Sequence, residues 1–317
     1  MDKANDRHRW GIVLAGGDGT RLRSLTRLIT GDERPKQFCR ILGDDSLLGR
    51  TLKRVKYGIS EGNILISVTQ THASFYDYLF DEFDSTRLVE QPANLGTAPA
   101  ILYSLIRVAK RDPEAYVTFF PSDHYLSDDR EFMRQVDAAF TGVEQHPGMI
   151  ALLGIAPASP ETEYGWIEPE PAADIASESP LLKVKRFWEK PGRSKARELL
   201  DRGCLWNSFV MTGKVTDFLT IIARSVPVLY HEFMGASHLI GTPAESDAID
   251  YVYEKLTPVN FSQRVLEPST ENLLTLMVKD VQWSDLGDPA RVISTLENIG
   301  VKTAWSQTMD DASLKTA

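Results

Sequence analysis

Gly11-Ile12-Val13-Leu14-Ala15, followed at once by Gly16-Gly17-Asp18-Gly19-Thr20-Arg21-Leu22, is the stretch that decides the fold. The first part is short and apolar and runs straight into glycines, the pattern of a buried strand that stops at a tight loop. Glycines there let backbone amides come close to a phosphate or a base, and the arginine that follows can clamp phosphate oxygens. Two common phosphate loops do not fit. After Gly17 and Gly19, the third glycine of a dinucleotide fingerprint would fall at Leu22, and no Gly-Lys-Ser/Thr follows. Taken alone, a plain tight turn stays an alternative.

Working outward, further apolar strands are predicted at Ile64 to Val68, Arg87 to Glu90, Tyr116 to Phe120 and Met149 to Leu153. Between them lie helical patterns at Ser46 to Lys56, with Asp44, Asp45 or Ser46 as cap, and at Ala73 to Phe83, Thr97 to Lys110 and Arg130 to Gln145. Strand and helix alternating in this way predict a parallel sheet covered on both faces, with the ligand site at the carboxyl ends of the strands. The second half is less regular. Strands at Leu181 to Trp188 and Leu205 to Met211 are broken by helices at Lys195 to Arg202 and Gly213 to Ala223, which predicts a mixed continuation of the same sheet. Pro157 to Pro180 reads as long loops around a short strand at Gly165 to Ile167, either a lid or a surface hairpin, and Met309 to Ala317 as a frayed tail.

Composition narrows the class. The 317 residues are 42% hydrophobic and 25% charged, ordinary for a globular chain, which excludes disorder and fibrous repeats. No apolar run reaches the roughly 18 to 20 residues of a membrane helix, and Met1 to Asp6 lacks the order of a signal peptide. A cytoplasmic protein is the expectation. Cys39 and Cys204 cannot make a disulfide framework or a four-ligand zinc site and read as packed thiols. A net charge of −9 argues against a nucleic-acid or anionic-membrane partner. Residues 1–60 nevertheless carry 13 Lys or Arg against 7 Asp or Glu, which suits one bound small polyanion or a solvated basic face.

Three polar positions stand out within this frame. Lys36 follows a proline-set turn in Arg34-Pro35-Lys36-Gln37-Phe38. Asp123 lies just past an apolar strand in Phe120-Pro121-Ser122-Asp123-His124, and Asp285 occupies Trp283-Ser284-Asp285-Leu286-Gly287. Two hard carboxylates beside phosphates suit magnesium, which typically takes one or two protein carboxylates and completes its shell with phosphate oxygens and water. His72, His146, His231 and His238 show no metal-ligand spacing and read as packing or surface residues. The stripe Phe75, Tyr76, Leu79, Phe80 and Phe83 reads as core, with a subunit contact as alternative, so a homo-oligomer is allowed for.

Leu14 to Leu22 together with Pro35-Lys36-Gln37-Phe38 resembles the signature of the sugar-phosphate nucleotidyltransferases, and Pro-Lys-Gln-Phe is similar to their mannose-1-phosphate guanylyltransferase (GDP-mannose pyrophosphorylase) branch. Later motifs resemble the family's in order: Gln91 to Ala100 its base segment, Pro121-Ser122-Asp123-His124 its metal motif, Tyr164-Gly165-Trp166-Ile167 and Phe187-Trp188-Glu189-Lys190-Pro191 its sugar-phosphate motifs, then Trp206-Asn207-Ser208 and Trp283 to Gly287. The resemblance covers about residues 10–295.

It implies a Rossmann-like three-layer α/β/α fold with a mostly parallel mixed sheet. One domain over residues 1–300 is expected, its nucleotide half about 8–155 and its sugar-phosphate half about 156–300, with 301–317 as tail. The implied reaction is GTP plus mannose 1-phosphate giving GDP-mannose and pyrophosphate, assisted by Mg2+. Carried over by resemblance, Arg21, Lys36 and Asp123 are the catalytic residues, and Asp123 and Asp285 bind magnesium. Leu14, Ala15, Gly16, Gly17, Gly19, Thr20, Gln91, Asn94, Gly96 and Thr97 bind the nucleotide; Gly165, Glu189, Lys190 and Asn207 bind the sugar phosphate.

The sugar phosphate brings its own anionic nucleophile, so no serine, cysteine or general base is required. Catalysis of this kind rests on positioning two repelling anions and stabilising charge. Three departures from the family pattern are visible. Asn94-Leu95-Gly96-Thr97 stands where the branch often has an Arg-Asn pair, which leaves the base open, and Phe209 stands where the family usually has glycine and reshapes the floor of the sugar pocket. Only 32 residues follow Asp285, room for a closing helix at Pro289 to Asn298 and not for a β-helical or cupin-like extension. The alternatives are the same reaction with another nucleotide or sugar 1-phosphate, and a non-catalytic nucleotide-sugar sensor.

Overall fold

The computed structural model describes residues 6–78, 84–171, 180–303 and 305. Its frame is a nine-stranded sheet made of β1 Arg9–Leu14, β2 Ile64–Thr69, β3 Leu88–Gln91, β4 Tyr116–Pro121, β6 Ile150–Ile155, β7 Gly165–Pro169, β8 Leu181–Glu189, β9 Leu205–Lys214 and β10 Leu273–Val278. Across the sheet these strands run in the order β3-β2-β1-β4-β9-β6-β10-β8-β7. A separate two-stranded ribbon pairs β5 Tyr125–Leu126 with β11 Trp283–Ser284.

Alternation along each strand builds two cores. Trp10 and Ile12 point to one face with Leu65, Phe119 and Leu152, while Val13 points to the other with Ile64, Ile66, Phe120 and Leu153. Helices Thr97–Arg111, Val215–Ser225, Pro227–Ala236 and Glu245–Glu254 cover the first face. Helices Leu47–Val55, Asp129–Gln145 and Arg193–Asp201 cover the second. A sheet buried on both sides explains why its strands read as continuous apolar runs. The three-layer α/β/α fold is therefore as the motifs implied.

The sheet is mixed, and its parallel part is local. β3, β2, β1 and β4 are parallel neighbours, as are β6 and β10, whereas β9 runs antiparallel between β4 and β6. The remaining contacts of β7 with β8 and β9, and of β8 with β10, are antiparallel. β9 continues to Lys214, so Gly213 belongs to a strand and the following helix starts at Val215. Ser46 caps its helix through its side chain, which accepts from Gly49 N. The expected helix at Ala73 to Phe83 appears as Ala73–Tyr76; Leu79, Phe80 and Phe83 lie outside the described residues. The closing helix is Pro289–Ile299, capped by Asp288. The expected tail also lies outside the described residues.

Two features of this frame place the chemistry. β2 and β4 flank β1, so the chain reverses its sheet order there, the kind of switch point at which open α/β sheets bind ligands. Leu14 and Pro121 are register partners, and Ser122 N donates to Leu14 O at 3.1 Å, which sets the glycine loop beside Asp123. The β5–β11 ribbon then brings Asp285 to the same edge, and a third apolar cluster including Leu22, Leu25, Leu286 and Val292 packs beneath it.

Candidate active site

The glycine loop is held from below and from the side. Gln37, buried at 2% exposure, donates through Nε2 to Ala15 O and to Gly17 O, each at 2.8 Å. Thr69 Oγ1 donates to Gly16 O, and a Cβ on Gly16 would meet Thr69 Oγ1 and Gln91 Nε2 at 2.8 Å, so only glycine passes there. Asp18 ties the loop outward, accepting from Asn94 Nδ2 at 2.9 Å and lying 3.2 Å from His72 Nε2.

Above the loop opens a pocket of about 340 Å³. Leu14, Gly16, Gly17, Gln91, Asn94, Gly96 and Thr97, seven of the residues expected to bind nucleotide, line it. Ala15 is fully buried beneath the loop and contributes its carbonyl to Gln37 instead. Gln91 is locked in place: Nε2 donates to Ser67 Oγ and Val68 O, and Oε1 accepts from Tyr253 OH at 3.0 Å.

Gly19 and Thr20 face a second pocket of about 280 Å³, which Arg21, Lys36, Asp123, His124 and Asp285 also line. Asp123 belongs to both pockets and so marks their junction. Lys36 is pinned by carbonyls, its Nζ donating to Asp285 O at 2.5 Å and Leu286 O at 3.1 Å, and it lies 3.3 Å from Asp123 Oδ2. Trp283 Nε1 donates to His124 Nδ1 at 3.2 Å, which leaves the proton on Nε2, 3.7 Å from Asp123 Oδ1. Burial pushes the His124 pKa down to about 4, against the pull of Asp123, so the ring is neutral.

Asp285 is heavily engaged. Oδ1 accepts from Tyr164 OH at 2.8 Å, Gly287 N at 2.9 Å and Arg291 at 2.9 Å; Oδ2 accepts from Arg291 at 3.1 Å. Burial alone would raise its pKa, but the charges of Lys36 and Arg291 and the Tyr164 hydroxyl outweigh it and hold the carboxyl below the usual range. A Cβ on Gly287 would strike Asp285 Oδ2 at 2.3 Å.

Across the cleft, Gly165, Glu189 and Asn207 converge. A Cβ on Gly165 would lie 3.2 Å from Glu189 Oε2 and 3.3 Å from Asn207 Cβ. Glu189 accepts from Asn260 Nδ2, and burial raises its pKa despite that bond and the nearby Lys190. Arg21 and Lys190 both approach the Glu163 carboxylate, at 3.1 and 3.9 Å. All three side chains are about half exposed, and pairs of that kind are worth at most about 1 kcal/mol, so an incoming phosphate can displace Glu163.

Residues 10–300 match the nucleotidyl transferase family. The chain belongs to that family. As a nucleotidyl transferase family member it is 29% identical over 278 residues to the alginate biosynthesis protein AlgA of Pseudomonas aeruginosa, covering 87% of this chain and 56% of AlgA. It is 24% identical over 280 residues to the mannose-1-phosphate guanylyltransferase of Escherichia coli, covering 87% and 57% respectively. The chain thus spans a little over half the length of these curated relatives. Among solved structures it is similar to a Thermus thermophilus protein described as a mannose-1-phosphate geranyltransferase, with a TM-score of 0.74, 27% identity, and coverage of 88% of this chain and 76% of that one. A UDP-glucose pyrophosphorylase at 14% identity and a TM-score of 0.57, covering 92% of this chain and 98% of its own, shares the fold.

The site of this nucleotidyl transferase family member carries backbone strain. Lys190, Phe209 and Leu286 are non-glycine residues with φ of 49°, 62° and 47°. Such conformations cost on the order of 1–3 kcal/mol each and cluster where function over-determines them. Several site residues had no assigned role in the sequence. Gln37 and Tyr164 were visible within their motifs and Glu163 sits beside one, but Arg291 and Tyr253 carry no local signal. Phe209 lines the pocket above the glycine loop together with Pro121 and Asp123. His72, read as packing, contacts Asp18 of the glycine loop. Among the described residues no helix is long and apolar enough to cross a membrane.

Proposed function

We propose that the chain transfers a guanylyl group from GTP to mannose 1-phosphate, giving GDP-mannose and pyrophosphate. The observation that carries this reading is Asp123, shared between a nucleoside-sized pocket over the glycine loop and a neighbouring pocket lined by Arg21 and Lys36. The Escherichia coli relative, a mannose-1-phosphate guanylyltransferase that matches along 87% of this chain, supports guanine and mannose over other pairs.

On this reading the base and ribose seat against Gly16, Gly17, Gln91 and Gly96, with Leu14, Asn94 and Thr97 as walls. Arg21 and Lys36 stabilise the triphosphate as pyrophosphate leaves. Glu189 and Asn207 accept and donate to sugar hydroxyls beside Gly165, and Lys190 pairs with the sugar phosphate after Glu163 yields it. The sugar phosphate attacks the α-phosphorus in line, the bond to the bridging oxygen breaks, and the electron pair leaves with pyrophosphate.

A magnesium ion fits the donor set. The Asp123 carboxylate accepts no hydrogen bond among the described residues, and Asp285 Oδ2 accepts one, which leaves oxygen lone pairs free on both. Among the described residues no three His, Cys, Asp or Glu side chains are grouped to hold a metal unaided, so phosphate oxygens would complete the shell. Bound there, the ion would offset the mutual repulsion of the two phosphates.

The test is pyrophosphate release by the purified protein with mannose 1-phosphate and magnesium, comparing GTP with ATP, CTP, UTP and dTTP. Release that is strongest with GTP and stops on chelation supports the reading. Equal or stronger release with another nucleotide moves the base, and silence with all five rejects turnover of mannose 1-phosphate.

A further inference from the structure

Phe209 sits at an irregularity in β9 that nothing in the proposed reaction explains. Between the register pairs Gly154–Asn207 and Leu152–Met211, β9 carries three residues opposite Leu153 alone, a bulge of Ser208, Phe209 and Val210. The bulge is stapled by its own polar groups: Phe209 N donates to Asn207 Oδ1 at 3.1 Å, Val210 N donates to Ser208 Oγ at 3.2 Å, and Ser208 Oγ donates to Leu153 O at 2.5 Å. Bulges of this kind re-aim a side chain next to an active site. Here the re-aimed side chain is a partly buried aromatic ring that packs against the apolar core below and lines the open pocket above. It does so at a φ of 62°, a conformation that glycine would adopt freely and phenylalanine adopts only under constraint.

The ring lines the pocket assigned to base and ribose and lies on the strand that also carries Asn207, an acceptor residue. It lies on β9 beside the carboxyl end of β4, whose Phe119 pairs with Met211, and it shares the pocket with Pro121 and Asp123. Two residues earlier on the same strand, Asn207 lies against Gly165 and near Glu189, the set we assign to the acceptor. Those side chains are polar and suit hydroxyl groups. A hexose ring also presents a face of C–H groups, and that face requires an apolar, flat counterpart if it is to leave water.

We propose that Phe209 is a specificity-determining residue whose ring packs on the C–H face of the acceptor sugar and selects among sugar 1-phosphates. This rests on the nucleotidyl transfer to a sugar 1-phosphate proposed above. The strained bulge is the means by which a strand residue reaches the acceptor without displacing Asn207, since the same backbone N–H that fixes the ring also holds the Asn207 carboxamide.

The experiment compares wild type with Phe209→Gly, Phe209→Leu and Phe209→Tyr, using steady-state kinetics with GTP and three acceptors, mannose, glucose and galactose 1-phosphate. Melting temperatures and titration calorimetry with each acceptor accompany it. Phe209→Gly relieves the positive φ and is expected to fold. Its KM for the preferred acceptor should rise about ten-fold and its preference among the three should flatten, a larger change than any in the KM for GTP, whose pocket the ring also lines. Phe209→Tyr should retain wild-type preference, and Phe209→Leu should fall between. Unchanged acceptor KM and preference in a folded Phe209→Gly overturns the proposal and leaves the reaction standing. A change confined to GTP also overturns it, by placing the ring under the nucleotide. Wild type that neither binds nor turns over any acceptor overturns both this proposal and the reaction it rests on.

Discussion

Lys36 and Asp123 face each other where the two pockets join, the ammonium 3.3 Å from the carboxylate, but only the cation is tied down. Lys36 directs its hydrogens at the carbonyls of Asp285 and Leu286, while the Asp123 carboxylate accepts no hydrogen bond among the described residues. The asymmetry separates stability from chemistry at this pair. A carboxylate that faces one cation and accepts no hydrogen bond is available to a ligand.

Asp123→Asn keeps the shape but removes the charge 3.3 Å from the buried Lys36 ammonium, which keeps its two carbonyl partners, so it is expected to fold at a cost of about 1 kcal/mol. Pyrophosphate release should fall by about 100-fold or more, the scale of losing one group that stabilises developing charge. Thermal melting with GTP and magnesium gives the second check, because the magnesium-dependent rise in melting temperature should be present in wild type and absent in the variant. Near-wild-type turnover would remove Asp123 from the proposed role.

Arg291 makes the opposite case. Its guanidinium, 19% exposed, joins both oxygens of Asp285 to Glu161 Oε2 at 2.9 Å and lies over the Tyr164 ring, so it holds a loop and a site carboxylate together. Arg291→Met strands two carboxylates and is expected to cost on the order of 2–3 kcal/mol in urea unfolding, the lower end for removing one partner of a mostly buried pair. Arg291→Lys keeps the charge but not the fork, and should recover only part of the loss. Equal stability of the methionine variant and wild type would mean that Asp285 is held by Tyr164 and Gly287 alone.

His72 predicts a pH dependence. Burial lowers its pKa, and the attraction of Asp18 does not cancel the effect; its Nδ1 has no partner among the described residues. The unfolded chain therefore takes up a proton near the ordinary value of 6.5 more readily than the folded one does. The contribution of His72 to stability is complete above that pH and is lost as pH falls below it. Urea midpoints at pH 7.5 and 5.5 should drop more for wild type than for His72→Gln, and an identical drop would show that another group carries the slope.

The two cysteines should be chemically silent. Both are buried, and burial pushes the Cys39 thiol up to about 12 and raises that of Cys204 as well. A colorimetric disulfide reagent at pH 8 should find no reactive thiol in the native protein and two after denaturation. Rapid native labelling of either would contradict the packing around it.

Much of this molecule is written locally. Gly11 to Leu22 encodes its own strand and loop within a dozen residues, since apolar continuity and glycine placement act over that range. The strands either side of the loop alternate between two cores for the same reason, and Ser46 announces a helix start that it then caps. Even Asp123 and Asp285 are legible as residue types at strand ends.

What the sequence by itself determined, then, is the set of elements and the kinds of group at their ends, because hydrophobic period, turn chemistry and capping depend on neighbours in the chain. Only the tertiary structure decided which of those groups touch. Gln91 is oriented by Tyr253 from a helix far along the chain, Asp285 is gripped by Arg291 and Tyr164, and Glu163 stands between Arg21 and Lys190. Phe209 turns into the pocket through a bulge set by the register of β9 against β6. Register and long-range packing are properties of pairs of segments, so no single stretch of sequence carries them.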